Sequence, residues 1–89
     1  MWSLFLTSAA EADFKKLDKT SYQRILSRLE WFQDNFDNIT PLPLGGEWRD
    51  YFKLRIGDLR IIYKIQWEKN TIIVYAIGRR DKIYKKKSK

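Results

Sequence analysis

An α+β fold is predicted for this 89-residue chain: a small antiparallel β-sheet of about four strands, with two N-terminal helices packed on one face. Three observations predict it. Two stretches of helical spacing follow a short apolar opening, and runs alternating apolar and polar residues flank Gly57-Asp58. With no Cys to build a disulfide framework, the 44% hydrophobic and 16% aromatic content must supply the core. A chain of this length forms one domain, expected over 1–89, and buries roughly 60 to 70% of its extended surface.

The opening run, residues 1–7, holds Trp2, Leu4, Phe5 and Leu6 and reads as a first strand. Thr7 or Ser8 caps the next element, with Glu11 completing a capping box after Ser8, and Ala10, Phe14 and Leu17 recur at helical spacing. Asp18-Lys19 breaks that pattern. A second cap at Thr20 or Ser21 opens a longer helix whose Tyr22, Ile25, Leu26, Leu29, Phe32 and Phe36 share one stripe, leaving Trp31 off it at the surface. Residues 37–47 form a connector punctuated by Pro41, Pro43, Gly45 and Gly46.

Residues 48–63 then read as a β-hairpin, because Gly57 tolerates positive φ and Asp58 suits a tight turn. A two-residue loop sets Ile56 against Leu59, Leu54 against Ile61 and Phe52 against Tyr63 on a core face. The other face then carries Arg55 opposite Arg60, Lys53 opposite Ile62 and Tyr51 opposite Lys64. Like charges across a ladder are unfavourable, and two cations about 5 Å apart repel by roughly 1 to 3 kcal/mol. Glu68-Lys69-Asn70 separates the β-rich runs 59–67 and 71–77, which implies a second hairpin and a three-stranded meander. Its last strand brings Arg79 or Arg80 alongside Arg60. The tail from Asp81 is Lys-rich, with Ile83 and Tyr84 as its apolar anchors.

Net charge is +7 and uneven: residues 1–48 hold 5 Lys/Arg against 7 Asp/Glu, residues 49–89 hold 13 against 4, giving −2 and +9. Such asymmetry points to a polyanionic partner, nucleic acid ahead of an anionic membrane. No apolar run approaches the ~18 residues of a membrane span, and the start lacks the charged and apolar regions of a signal peptide. The missing Cys suits a reducing cytoplasm. The missing His removes the commonest acid–base device and, with the missing Cys, disfavours zinc.

The face carrying Lys53, Arg55, Arg60 and Arg79 or Arg80, with Tyr51 among them and Tyr84 nearby, forms a cationic, aromatic-lined groove. Arg forks match phosphate geometry and Tyr stacks on bases. With no acidic triplet for Mg²⁺, the feasible reaction is metal-free cleavage of RNA, without a cofactor: the 2′-hydroxyl attacks phosphorus and cations stabilise the dianionic phosphorane. A lysine crowded by cations gives up its proton more readily, which makes Lys53 a candidate base. The plainer alternative is a set of solvated sheet-face charges without chemistry.

Two stretches carry a family resemblance: Tyr-Phe-Lys-Leu-Arg-Ile-Gly-Asp-Leu-Arg-Ile-Ile-Tyr at 51–63 and Val-Tyr-Ala-Ile-Gly-Arg-Arg-Asp-Lys-Ile-Tyr at 74–84. The chain resembles the RelE/ParE toxins of type II toxin–antitoxin systems, specifically the RelE branch. That resemblance implies a RelE-like fold and a cytoplasmic, ribosome-dependent endoribonuclease that cuts mRNA in the A site. It also implies silencing by a cognate antitoxin whose acidic segment wraps the toxin. By motif, the catalytic set is Lys53, Arg60, Arg80 and Tyr84, and the RNA-binding set is Tyr51, Arg55, Lys64, Arg79 and Lys82. Arg60 and Arg80 match phosphate-stabilising arginines, and Tyr84 the tyrosine that stacks on the nucleotide. The chain departs from many relatives at Arg79, where they carry His, and at Tyr51, which is Lys in some active toxins. Two alternatives stay open: a ParE-like toxin that poisons DNA gyrase and cleaves nothing, and a binding module without activity. Trp2, Trp31 and Trp67 are expected to give the antitoxin aromatic surface.

Overall fold

The computed structural model describes residues 1–83. Strand β1 (Ser3–Leu6) leads into helix α1 (Ser8–Lys15), capped by Thr7, whose Oγ1 accepts the Ala10 N–H at 3.1 Å. Helix α2 (Lys19–Asp34) begins two or three residues earlier than the expected caps Thr20 and Ser21 imply: Asp18 is the cap, its carboxylate accepting the Ser21 N–H at 3.4 Å. An anion at the positive end of a helix satisfies a free donor and gains from the dipole. The hydrogen bonds from Ser21 hold the Asp18 carboxyl below the ordinary aspartate pKa. Ile25, Leu29 and Phe32 of α2 are buried and Trp31 is exposed, as the stripe requires.

The remaining strands are β2 (Leu42–Pro43), β3 (Phe52–Ile56), β4 (Leu59–Gln66) and β5 (Thr71–Arg79), in the sheet order β1-β5-β4-β3-β2. The β3–β4 pairing has the predicted register throughout, from Phe52 opposite Tyr63 to Ile56 opposite Leu59. Its loop has Gly57 at φ +60° and Asp58 on the negative side, the type II′ pattern that follows the twist of the strands. The second hairpin closes through Asn70 in the left-handed region, φ 48°.

Two features depart from the expected antiparallel sheet of about four strands. A fifth strand, β2, lies inside the connector and pairs Leu42 with Lys53 and Pro43 with Phe52. It is two residues long at the sheet edge, where a proline's missing N–H costs no ladder bond. In addition, β1 runs parallel to β5, with Ser3 opposite Thr71 and Leu6 opposite Val74. The chain crosses one face as helices, enters the sheet at the far edge and meanders back, so it meets its own start in the parallel sense.

The main core lies between the helices and one sheet face, joining Ile25, Leu29, Phe32 and Phe36 to Ile56, Leu59, Ile61, Tyr63, Ile72, Val74 and Ile77. Tyr63 stands at its centre, edge-on to Phe32 and stacked on Phe52, and burial raises the pKa of its phenol. Trp2, expected at the surface, belongs to this core: it is only 9% exposed, packs edge-on to Phe36 and donates Nε1–H to Asp37 at 2.8 Å. Among the described residues no helix is long and apolar enough to cross a membrane.

The β4–β5 ladder slips by one residue. Tyr63 faces Val74 and Ile62 faces Ala76, so Tyr75 is extra. Helix α1 braces this bulge: Asp13 Oδ2 accepts the Ile77 N–H at 3.0 Å, and the Thr7 hydroxyl donates to the Tyr75 carbonyl at 3.4 Å. Replacing Asp13 by Ala leaves a partly buried N–H without its acceptor and is expected to lower stability by about 1 to 3 kcal/mol. Asp13→Asn, which keeps an acceptor oxygen, is expected to restore most of that loss in chemical denaturation.

Candidate nucleic-acid interface

Because Ile56, Leu59, Ile61 and Tyr63 face the helices, alternation sends Lys53, Arg55, Arg60, Ile62 and Lys64 to the opposite face. The II′ turn places Arg55 directly opposite Arg60. Arg55 is exposed and Arg60 half-buried. Arg60 Nη1 donates to the carbonyls of Gly57 at 2.8 Å and Leu59 at 2.9 Å. Those acceptors fix the guanidinium without cancelling its charge, and among the described residues nothing occupies Nε or Nη2. Among the described residues, no carboxylate pairs with Lys53, Arg55, Arg60 or Lys64.

Arg79 behaves differently from its expected place in the groove. It stands opposite Leu59, with the parity of Ile77, while Gly78 is the residue opposite Arg60. Its guanidinium also lies 3.7 Å from both Asp58 and Asp81. All three side chains are 62 to 67% exposed, so these contacts are weak, yet they make Arg79 the least available cation of the set. Arg80 is exposed beyond β5, and its backbone N–H donates to the Asp58 carbonyl at 2.9 Å, which ties the end of β5 to the hairpin turn. Lys82 is exposed in the turn that follows, its N–H bonded to the Arg79 carbonyl. Lys53 sits mid-sheet between Leu42 and Ile62. Tyr84 lies outside the described residues.

The face is also less open than alternation implied. Ile62, Ala76 and Ile83 form a second small core on it, bordered by Leu44, Trp48 and Tyr51. Ile83 packs closely on Gly78: a Cβ there would lie 3.1 Å from Ile83 Cδ1, tight enough that the isoleucine would have to move by a few tenths of an ångström. The arginine end of the face is therefore bounded by an apolar floor. Beyond it, Lys64 Nζ rests over the Tyr51 ring at 4.8 Å, so Tyr51 and Lys64 do meet, although Tyr51 precedes β3. Tyr75 joins them from β5.

A family model described as the ParE toxin of type II toxin–antitoxin systems, parDE, matches residues 4–84. The chain belongs to the RelE/ParE toxin family. Among curated proteins none matches its sequence significantly. Solved structures do. The RelBE2 toxin–antitoxin complex of Mycobacterium tuberculosis is 26% identical, with 89% of this chain and 91% of that chain covered and a TM-score of 0.69. The isolated RelE toxin of E. coli is 21% identical over 89% and 84%, at a TM-score of 0.72. A YoeB/ParE toxin from Agrobacterium tumefaciens is 16% identical over 88% and 98%, at 0.68.

Within this RelE/ParE toxin the expected β3–β4 register holds and sets Arg55 against Arg60, whereas Tyr75 was overlooked because its position depends on a ladder slip. Among the described residues no group of three or more Asp, Glu, His or Cys side chains is placed to hold a metal ion. The second core gives a direct test. Ile83 is 1% exposed, so Ile83→Ala is expected to cost about 2 kcal/mol or more in thermal unfolding, whereas a loosely attached segment would lose almost nothing.

Proposed function

We propose that this toxin is a metal-independent endoribonuclease of the RelE kind, acting on mRNA at the ribosome in the cytoplasm and held silent by a cognate antitoxin. The observation that carries this proposal is Arg60: a half-buried guanidinium held by two carbonyls, opposite a second arginine, with no carboxylate partner among the described residues. Preorganised cations of this kind stabilise charge that develops at phosphorus without reorganising during the reaction.

In the proposed reaction the 2′-oxygen of one nucleotide attacks its own 3′-phosphorus and the P–O5′ bond breaks. The products are a 2′,3′-cyclic phosphate and a 5′-hydroxyl. Arg60 and Arg80 bind the phosphorane oxygens, Lys53 takes the 2′-proton, the departing 5′-oxygen takes a proton from water, and Tyr84 orients the nucleotide. Arg55, Lys64 and Lys82 hold flanking phosphates; Tyr51 offers a ring. Arg79 contributes only after its two carboxylates let go.

The antitoxin proposal is supported by exposed apolar surface with Phe5 at 61%, Trp31 at 47% and Trp67 at 60%, and by the positive charge that an acidic segment would meet. The RelBE2 neighbour is itself a toxin–antitoxin complex.

A second proposal has its own support: the matching family model is described as ParE. A ParE-like toxin would poison DNA gyrase and cut nothing. Primer extension on mRNA after induction separates the two. Codon-phased cuts on translated messages are expected, reduced about 10²- to 10³-fold by Arg60→Ala with folding intact, and also reduced by Lys53→Ala. A supercoiling defect without cuts would select the ParE proposal, and an unchanged cleavage rate in Lys53→Ala would remove that residue from the chemistry.

A further inference from the structure

At the far end of the basic face, Lys64 of β4 is enclosed by aromatic rings. Its Nζ lies 4.8 Å from the Tyr51 centroid and 5.8 Å from that of Tyr75. The two tyrosines stand at 88° with centroids 5.1 Å apart, and Trp48 meets the other side of Tyr51 at 5.1 Å and 80°. Tyr75 reaches this group as the extra residue of the β5 bulge, braced from behind through the neighbouring Ile77 N–H and its own carbonyl. All of these side chains are half-buried.

Ring faces hold an ammonium in place without neutralising it, whereas a carboxylate would cancel it. No carboxylate pairs with Lys64 among the described residues, so an arriving anion meets the whole charge. Lys64 and Arg60 project from the same face of β4 four residues apart, which separates them by roughly 13 Å along the strand. That span is too long for one phosphate. The strip between them is filled by Ile62, Ala76 and Ile83, all buried, so no side-chain polar group stands there to read base edges. A cation beside half-buried tyrosine rings, in line with a second cation farther along the same strand, matches a polymer that carries phosphates at intervals and a flat base beside each.

We infer that Tyr51, Lys64 and Tyr75 form a second nucleotide subsite, which takes a flanking base and phosphate of single-stranded RNA with little sequence preference. The ammonium binds the phosphate and the Tyr75 ring supplies the stacking surface. The choice of RNA, but not the subsite's geometry, rests on the proposed ribonuclease activity.

Fluorescence anisotropy of the purified chain with a short 2′-O-methyl oligoribonucleotide, which cannot be cut, tests this across a salt series. Tyr75→Leu is expected to weaken binding about tenfold with the salt slope unchanged. Lys64→Gln is expected to weaken it and to reduce the slope by about 0.7, the loss of one phosphate contact. Tyr75→Phe should keep the affinity, and inorganic polyphosphate as competitor should lose affinity for Lys64→Gln but not for Tyr75→Leu. If Tyr75→Leu proves unfolded by circular dichroism, the slope of Lys64→Gln decides.

Wild-type affinity in both variants, with Arg60→Ala weakened, would overturn the subsite and leave the ribonuclease proposal standing. Weakening in both variants, with Arg60→Ala unaffected, would keep the subsite and count against the role given to Arg60. Absence of oligonucleotide binding by the wild-type chain would overturn the subsite outright.

Discussion

The two-residue turn at Gly57-Asp58 is the constraint on which the basic face depends. A glycine with positive φ at the first loop position selects the II′ geometry, and that geometry admits one register between β3 and β4. Shifting it by one residue would turn either Leu54 and Ile56 of β3 or Leu59 and Ile61 of β4 to solvent, so the core enforces the register that brings Arg55 and Arg60 together. The fold thus accepts a repulsive pair as the consequence of burying an apolar one. Arg60 turning back to two backbone carbonyls is the local accommodation: it orders the guanidinium and preserves its charge.

The rest of the molecule supports that hairpin from both sides. On one side, α2 and the aromatic group around Tyr63 fill the space behind β3 and β4. On the other, Ile83 drops onto Gly78 and closes a small apolar floor beside the arginines. The Arg80 N–H bonded to the Asp58 carbonyl joins the end of β5 to the turn, so Arg80 starts from a fixed point next to Arg60 although the two are far apart in sequence. A single apolar residue and a single backbone hydrogen bond thereby set the edge of the candidate site.

Much of this was legible in the sequence where local chemistry decides the outcome. The turn signal together with strict alternation gave the β3–β4 register residue by residue, and the helical stripe separated buried Phe32 from exposed Trp31. What stayed hidden depends on pairing between distant segments. Leu42-Pro43 is too short to show periodicity, and nothing in the pattern of residues 1–7 records whether the strand runs parallel to its neighbour. Asp18 looked like a break because its role as cap requires knowing where the first turn of α2 begins. Trp2 was assigned to the surface because its partners, Phe36 and Asp37, lie more than thirty residues away. The slip that exposes Tyr75 exists only in the ladder with β4, and the contacts of Arg79 with Asp58 and Asp81 exist only once the turn and the end of β5 meet.

On this face backbone acceptors hold Arg60 and aromatic rings hold Lys64, and among the described residues neither these two nor Arg55 has a carboxylate partner, so their charge is kept. The most direct measurement of that claim is a double-mutant cycle on Arg55→Gln and Arg60→Gln, with unfolding free energy followed at low and high salt. An unfavourable coupling between the two arginines, of about 0.5 to 1 kcal/mol at low salt and fading as salt rises, is predicted. A favourable coupling, or one indifferent to salt, would mean that the pair is internally compensated and would contradict the account.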